Sequence, residues 1–238
     1  MKKLNKIEIT NIIFFIGILL LDLLYMNIST KTVSEYITKG AATAAFVICG
    51  IVNLIYTLKH NSSHTSHPSF KYFMFLGLFF AALGDIFLID LFVFGVAFFA
   101  LGHVFYLIAF VTITKPNWLD AIVSLIIFIP ALLLILLYKK FDFDGMKLLI
   151  ILYALILSTM TAKTIANLIR DPNKKNILLV LGAILFFLSD LMLLFRLFAN
   201  APVIMSHLCV IFYYPAQFVL AWSISYVSSS EQNLTIGE

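Results

Sequence analysis

The sequence predicts an all-α membrane protein, a polytopic bundle of about eight transmembrane helices. Of its 238 residues, 62% are hydrophobic and 12% are charged, whereas an ordinary soluble protein is about 25% charged. The mean hydropathy is +1.05. Apolar runs close to 20 residues long recur along the chain, which is the length that crosses a hydrocarbon layer of about 30 Å at about 1.5 Å per residue.

The apolar runs are separated by polar segments that can stay hydrated at a membrane surface. Lys115-Pro116-Asn117 and Asp171-Pro172-Asn173 are examples, and the break at Asp90 is very short. The predicted spans are residues 9–28, 36–58, 70–89, 91–114, 118–138, 147–169, 177–198 and 203–227. We therefore expect one integral membrane domain over residues 1–238, with a polar tail at 228–238.

Basic residues near the predicted helix ends indicate the orientation. With a cytoplasmic N-terminus, ten Lys and Arg residues fall at the inner surface and six at the outer surface. Because Lys and Arg are enriched in cytoplasmic loops, we expect a multi-pass protein of the cell membrane with both termini inside. The net charge of +4 is explained by contact with lipid headgroups, so it indicates no nucleic-acid partner.

Metal-ligand patterns are weak. Cys49 and Cys209 each lie in an apolar stretch, which argues against a disulfide framework or a cysteine metal cluster. The histidines at 60, 64 and 67 lie in a polar segment with Ser and Pro, which is typical of a solvated turn. We expect neither a metal nor another cofactor.

An internal match suggests a duplicated architecture. Leu76-Gly77 followed by Gly84-Asp85 recurs as Leu181-Gly182 followed by Ser189-Asp190, an offset of 105 residues between the two aspartates. Repeat halves at 1–114 and 115–227, with four helices each, would have the same orientation in the membrane. Chance similarity between apolar segments is the alternative.

Two aspartates lie well inside predicted spans. A carboxylate in hydrocarbon costs several kcal/mol unless it is paired, neutralised or hydrated. Counted from the start of each span, Asp85 and Asp190 are both about 20 Å across the membrane. This equal depth allows them to share one cavity, although each could instead lock neighbouring helices together by hydrogen bonding.

Small residues and further polar side chains accompany these aspartates. Seven residues separate Gly77 from Gly84, Gly95 from Gly102 and Gly182 from Ser189, so each pair shares a helix face and favours close helix packing. Hydrogen-bonding side chains at membrane depth include His103 and Tyr106, three residues apart, and Tyr213 and Gln217, four apart. Lys39 lies at the start of the second span.

At these residues the sequence resembles the YhhN-like lysoplasmalogenase family of multi-span membrane proteins. The matching segments are Gly84-Asp85, Phe94 to Tyr106, Gly182 to Asp190 and Tyr213 to Gln217. With eight spans of suitable spacing, the resemblance runs over nearly the whole chain. Where the family tends to have Lys-Pro at the head of its second span, this chain has Lys39-Gly40.

The resemblance implies hydrolysis of the vinyl ether bond of a lysoplasmalogen, a lysophospholipid of the bilayer, to a fatty aldehyde and a glycerophospho headgroup. Such hydrolysis begins with protonation of the alkenyl carbon and continues with addition of water. It therefore needs an acid and a base, roles that two carboxyl groups fill in glycosidases. We expect Asp85 and Asp190 to be the catalytic pair. The residues expected to orient water or substrate are His103, Tyr106, Tyr213, Gln217 and Lys39.

Two other classes of function fit the same residues. A transporter or proton-coupled carrier also combines repeated halves with intramembrane aspartates. A structural or lipid-sensing bundle would have neither activity. The residues leave open which aspartate is the acid, which headgroup is preferred and what the oligomeric state is.

Overall fold

In a computed structural model of the chain, the described residues are 5–26, 33–60 and 67–235, and they form eight α-helices. All eight contain a segment long and apolar enough to cross a membrane. The predicted all-α membrane fold is confirmed, including the short break at residue 91. The helices are α1 (Lys6–Met26), α2 (Val33–His60), α3 (Phe70–Asp90), α4 (Phe92–Ile113), α5 (Trp118–Leu137), α6 (Lys147–Arg170), α7 (Lys174–Phe198) and α8 (Ile204–Thr235).

Capping side chains start two of the helices where the sequence has its polar breaks. The Asn117 side chain accepts a hydrogen bond from the Leu119 amide at 2.9 Å, and Asp120 accepts one from the Asn117 amide at 2.6 Å. Asn173 in turn accepts a hydrogen bond from the Asn176 amide at 2.9 Å and caps α7. These contacts satisfy amides that have no partner within the helix, which fixes the starts of α5 and α7.

The helix α8 lies at the centre of the bundle, where it contacts α1, α2, α3 and α7. Its middle section, residues 213–221, is buried throughout. The hairpins α3–α4 and α7–α8 pack most extensively, and α4 also packs on α6. Within the described residues, the backbone of α5 comes close only to that of α6, and the backbones of α4 and α7 do not come close to each other.

Glycines allow the close packing of α3 against α4, as their spacing predicted. A Cβ atom at Gly77 would overlap the ring of Tyr106, and one at Gly84 would lie 2.8 Å from the ring of Phe99. At Gly95 it would lie 2.5 Å from the Leu88 Cα atom. Because side chains or backbone of one helix fill the space above the glycines of the other, this hairpin holds a fixed register.

Buried polar side chains tie α1 to the bundle at the end that carries the chain termini. Asn11 and Asn53 exchange hydrogen bonds between α1 and α2, with N–O distances of 3.0 and 2.8 Å. The hydroxyl of Ser225 on α8 donates to the same Asn53 amide oxygen. Interhelical hydrogen bonds of this kind hold helices together where apolar lipid gives no hydrophobic driving force.

The contacts between helices are compatible with the predicted duplication. The pairs α1–α2, α2–α3 and α3–α4 have counterparts in α5–α6, α6–α7 and α7–α8, and α2–α8 has a counterpart in α4–α6. The contacts of α1 and of α3 with α8 have none, because the backbones of α5 and α7 do not come close to α4 in the described residues. The duplication, with its boundary between α4 and α5, stays a prediction.

Most of the polar tail expected at residues 228–238 has a helical backbone. The backbone of α8 continues as a helix to Thr235, beyond the apolar span of Ile204–Ser225. Residues 236–238 lie outside the described residues. A helix of 32 residues is longer than a bilayer requires, so its polar end extends past the membrane surface.

Candidate active site

A cavity of about 910 Å³ opens among α1, α2, α3, α4, α7 and α8, and both predicted aspartates line it. This volume is in the range of small-molecule binding sites. Residues of the α5–α6 and α7–α8 connections, among them Lys140, Asp142 and Asn200, line it too. The cavity, called the chamber below, therefore lies at the end of the bundle opposite the chain termini.

The two aspartates lie at the same end of the membrane span. Asp85 is five residues before the end of α3, and Asp190 is eight residues before the end of α7. At the helical rise these positions are about 8 and 12 Å from the helix ends. The similar depth inferred from the sequence is thus found in the structure, and both carboxyl groups are within reach of the chamber.

Hydroxyl groups from two different helices hold Asp85. Its Oδ2 atom accepts hydrogen bonds from Thr43 on α2 at 2.7 Å and from Tyr213 on α8 at 3.0 Å. Because both donors use the same oxygen, the side chain is fixed in one orientation. Among the described side chains none donates to its other oxygen, Oδ1.

The surroundings of Asp190 are different. Its Oδ2 atom accepts a hydrogen bond from Tyr153 on α6 at 2.6 Å, and Nε2 of His103 on α4 lies 3.3 Å away. Nε2 is also 2.9 Å from the Tyr153 hydroxyl oxygen. The Tyr153 hydroxyl donates its one hydrogen to Asp190 and cannot also donate to His103. Nε2 of His103 therefore carries the hydrogen that points toward the Tyr153 hydroxyl oxygen and Oδ2 of Asp190. A tyrosine and a histidine thus hold one carboxyl group, and a threonine and a tyrosine hold the other.

The structure separates two of the predicted positioning residues from the aspartates. The Tyr106 hydroxyl donates a hydrogen bond to Oε1 of Gln217 at 2.6 Å, and both side chains are fully buried. Neither lines the chamber. Gln217 lies one turn after Tyr213 on α8, so this pair supports the packing behind Tyr213 and does not face a substrate in the chamber.

Lys39, by contrast, lines the chamber beside Asp85. Its Nζ atom is 5.4 Å from the centre of the Tyr25 ring, and its backbone oxygen accepts a hydrogen bond from Tyr214 at 3.3 Å. Asp22 on α1 is also buried, but it does not line the chamber, and neither of its oxygens has a hydrogen-bond partner among the described residues.

Thr43, Tyr153 and Arg196 were not predicted from the sequence. Arg196 lines the chamber, donates from Nε to the Ser206 hydroxyl at 3.1 Å and from a terminal nitrogen to the Ala201 oxygen at 3.4 Å. A signal was available only for Arg196, a charged residue inside an apolar run six positions after Asp190. Thr43 and Tyr153 are ordinary hydroxyl residues of apolar helices, with no spacing that marks them.

Within the residues that the structure describes, no group of three His, Cys, Asp or Glu side chains is placed to hold a metal ion. His64, one of the three histidines noted in the sequence, lies outside the described residues.

Eight membrane-spanning helices around a chamber with two separately held carboxyl groups define a polytopic membrane protein with an acidic site at one end of its bundle. The model of the YhhN family matches residues 13–224, and the chain belongs to this family. A Dictyostelium discoideum protein named "Lysoplasmalogenase homolog" is 26% identical to it, and the match covers 85% of each chain. No solved structure matches the chain.

Proposed function

We propose that this protein is a membrane-embedded hydrolase that cleaves the vinyl ether bond of lysoplasmalogens. The observation that carries the proposal is the pair of aspartates from separate helices, Asp85 and Asp190, which line one chamber and have different hydrogen-bond partners. The family and the name of the Dictyostelium relative support a lysoplasmalogenase-like enzyme.

The reaction needs a proton donor and a proton acceptor, both close to the vinyl ether group. The acid protonates the alkenyl carbon that is not bonded to oxygen, and the electrons of the double bond form the new C–H bond. The resulting oxocarbenium ion takes up water, which loses a proton to the base. The hemiacetal then collapses to the fatty aldehyde, and the glycerol oxygen leaves with a proton. Overall, one water is consumed and one C–O bond is broken.

The geometry of the pair suits these steps. In each aspartate the neighbouring donors contact Oδ2, so Oδ1 is available to deliver or accept the proton. A carboxylate near the oxocarbenium carbon also stabilises its positive charge, as in glycosidases. Thr43, Tyr213, Tyr153 and His103 act as positioning residues because they orient the carboxyl groups.

Two cations of the chamber suit the phosphodiester of the substrate. Arg196 and Lys39 line the same chamber as the aspartates. Lys140 adds a third cation at the side of the α5–α6 connection. Because Arg and Lys bind phosphate oxygens through charge-assisted hydrogen bonds, these residues would hold the headgroup while the vinyl ether reaches the aspartates.

The test is aldehyde release from a lysoplasmalogen by purified protein in lipid vesicles. Asp85→Asn and Asp190→Asn should each lower the rate by at least about 100-fold, the usual contribution of a general acid or base. The matched control is Asp22→Asn, an intramembrane aspartate outside the chamber, which should keep the activity. Full activity in both site variants would refute the pair.

A carrier that uses the same aspartates is the competing function. The contact pattern compatible with repeated halves favours it as the second candidate. Vesicles loaded with solute and proton indicators distinguish the two. Solute flux without aldehyde release from the wild-type protein would support the carrier and reject the hydrolase.

A further inference from the structure

A second, much smaller cavity lies beside the chamber. Its volume is about 90 Å³, and residues of α3 to α7 line it. Tyr153 and Asp190 contribute its polar atoms, and the rest of the lining is aliphatic or aromatic, with Val96, Ala131 and Leu134 as examples. We call it the apolar pocket.

The apolar pocket and the chamber meet at one catalytic side chain. Asp190 lines both cavities, and so do Leu88, Phe92 and Phe99. Asp85 lines the chamber but not the apolar pocket. The backbones of α4 and α7 do not come close to each other in the described residues. These helices meet through side chains, where His103 contacts Asp190 and Phe186, and Phe92 packs on Phe198.

The outer wall of the apolar pocket is the loosely attached helix α5. This helix contributes Ala131, Leu134 and Ile135 to the lining, although its backbone approaches only α6. Pro130 lies directly before these residues and removes one backbone hydrogen bond from the helix. Most of the apolar span of α5 is exposed, so this helix separates the pocket from the bilayer.

On the basis of the proposed function, we infer that the apolar pocket holds the first methylene groups of the alkenyl chain, which enters from the bilayer beside α5. The two volumes favour this assignment. A cavity of about 90 Å³ takes part of one alkyl chain and excludes a phospholipid headgroup, whereas the chamber of about 910 Å³ has space and cations for that headgroup. The apolar lining also matches a hydrocarbon, because burying methylene groups there removes them from contact with polar groups of the chamber.

This binding mode assigns the catalytic roles. The vinyl ether joins the hydrocarbon chain to the glycerol, so its two carbons lie where the apolar pocket meets the chamber, next to Asp190. The carbon that must be protonated is the one on the hydrocarbon side. Asp190 is therefore the proton donor, and Asp85, which lines the chamber and a cavity between α2 and α3 but not the apolar pocket, removes the proton from water.

The test uses two substitutions on the same helix. Ala131→Phe fills the apolar pocket, whereas Ala121→Phe, the matched control, adds the same ring at an exposed position ten residues earlier on α5. The probe is an alkyl-ether lysophospholipid, which cannot be hydrolysed by this chemistry, with a photoreactive diazirine on the chain close to the ether. Labelled peptides are identified by mass spectrometry.

The label should map to α5, α6 or α7 around the apolar pocket in the wild-type protein and in Ala121→Phe, and it should be lost in Ala131→Phe. The same variant should raise KM for long-chain lysoplasmalogen, because the new ring occupies the space of the chain. Labelling of α1 or α2, or an unchanged pattern in Ala131→Phe, would overturn the inference. Wild-type protein that is labelled at the pocket but releases no aldehyde would reject the proposed function alone.

Discussion

The two aspartates have different hydrogen-bond partners, but in both the partners contact the same oxygen, Oδ2. Tyr153 and His103 both contact Oδ2 of Asp190, whereas Thr43 and Tyr213 both contact Oδ2 of Asp85. In each case one carboxyl oxygen is fixed by its partners, and we propose that the other oxygen transfers the proton. Such fixed orientation matters because a displacement of about 1 Å at a catalytic group can reduce a rate about 100-fold.

The roles assigned to the aspartates predict different responses to an added small carboxylate. Replacing Asp85 by Ala leaves space in the chamber, where formate can take the proton from water. Formate should therefore restore at least about a tenth of the rate lost in Asp85→Ala, a loss of about 10²–10⁴-fold for a missing base. Formate should not restore the rate of Asp190→Ala, because it is ionised near neutral pH and cannot protonate carbon.

The measurement is aldehyde release against formate concentration for both variants, with sodium chloride at the same ionic strength as control. Rescue of Asp190→Ala but not of Asp85→Ala would reverse the assigned roles. It would leave the pair itself in place.

The charged residues of the site could be predicted from the sequence more readily than their hydrogen-bond partners. Asp85 and Asp190 were recognisable because a carboxylate in an apolar run needs a compensating environment, and Lys39, His103 and Tyr213 were polar at membrane depth. Thr43 and Tyr153 were missed because a hydroxyl group in an apolar helix is common. Whether such a group faces an aspartate depends on how each helix is rotated about its axis, which the sequence of one helix does not fix.

At the scale of helices, hydropathy gave the number and the length of the spans but not their neighbours. The apolar runs alone predicted all eight helices, because each must cross the same hydrocarbon thickness. The sequence did carry a signal for the exposed position of α5, because its span is the most apolar of the eight in the described residues, whereas the buried α8 has the least apolar span. The glycine spacing of α3 and α4 did predict a close pair, because only small residues admit a neighbouring backbone.

The α3–α4 hairpin carries Asp85 and His103, and its close packing can be tested by replacing one of its glycines with alanine, which adds one methyl group. In Gly95→Ala the new Cβ atom would lie 2.5 Å from the Leu88 Cα atom, which forces the backbones apart. We expect the free energy of unfolding to fall by about 1–3 kcal/mol, a decrease in Tm of a few degrees. Thermal unfolding of the purified protein in detergent measures it.

The matched control is Gly17→Ala on α1, where a Cβ atom meets nothing within 4 Å. There the higher helix propensity of Ala should leave Tm unchanged or raise it slightly. Equal Tm values for the two variants would contradict the close contact between α3 and α4.

For the whole molecule, an even number of spans puts both termini on one side and the chamber on the other. Residues from the α5–α6 and α7–α8 connections line the chamber, and these connections lie at the bundle end opposite the start of α1 and the end of α8. The orientation of the protein therefore decides which membrane leaflet supplies the substrate. The distribution of ten basic residues against six predicts that the termini are cytoplasmic.

Single cysteines on the two surfaces test this orientation in cells, in a background where Cys49 and Cys209 are replaced. Lys139→Cys lies in the α5–α6 connection, and Lys174→Cys lies at the start of α7 on the side of the termini. A membrane-impermeant maleimide should label the first variant in intact cells and the second only after permeabilisation. The opposite pattern would place the chamber at the cytoplasmic surface.

The same orientation makes a functional prediction that does not depend on labelling. A chamber that opens outward draws lysoplasmalogen from the outer leaflet, so cells expressing the protein should cleave lipid added to the medium before it crosses the membrane. The released glycerophospho headgroup, which is charged and crosses a bilayer poorly, should then accumulate in the medium. Cells expressing Asp190→Asn provide the control. Accumulation inside the cells instead would place the reaction on the cytoplasmic leaflet and require the reversed orientation.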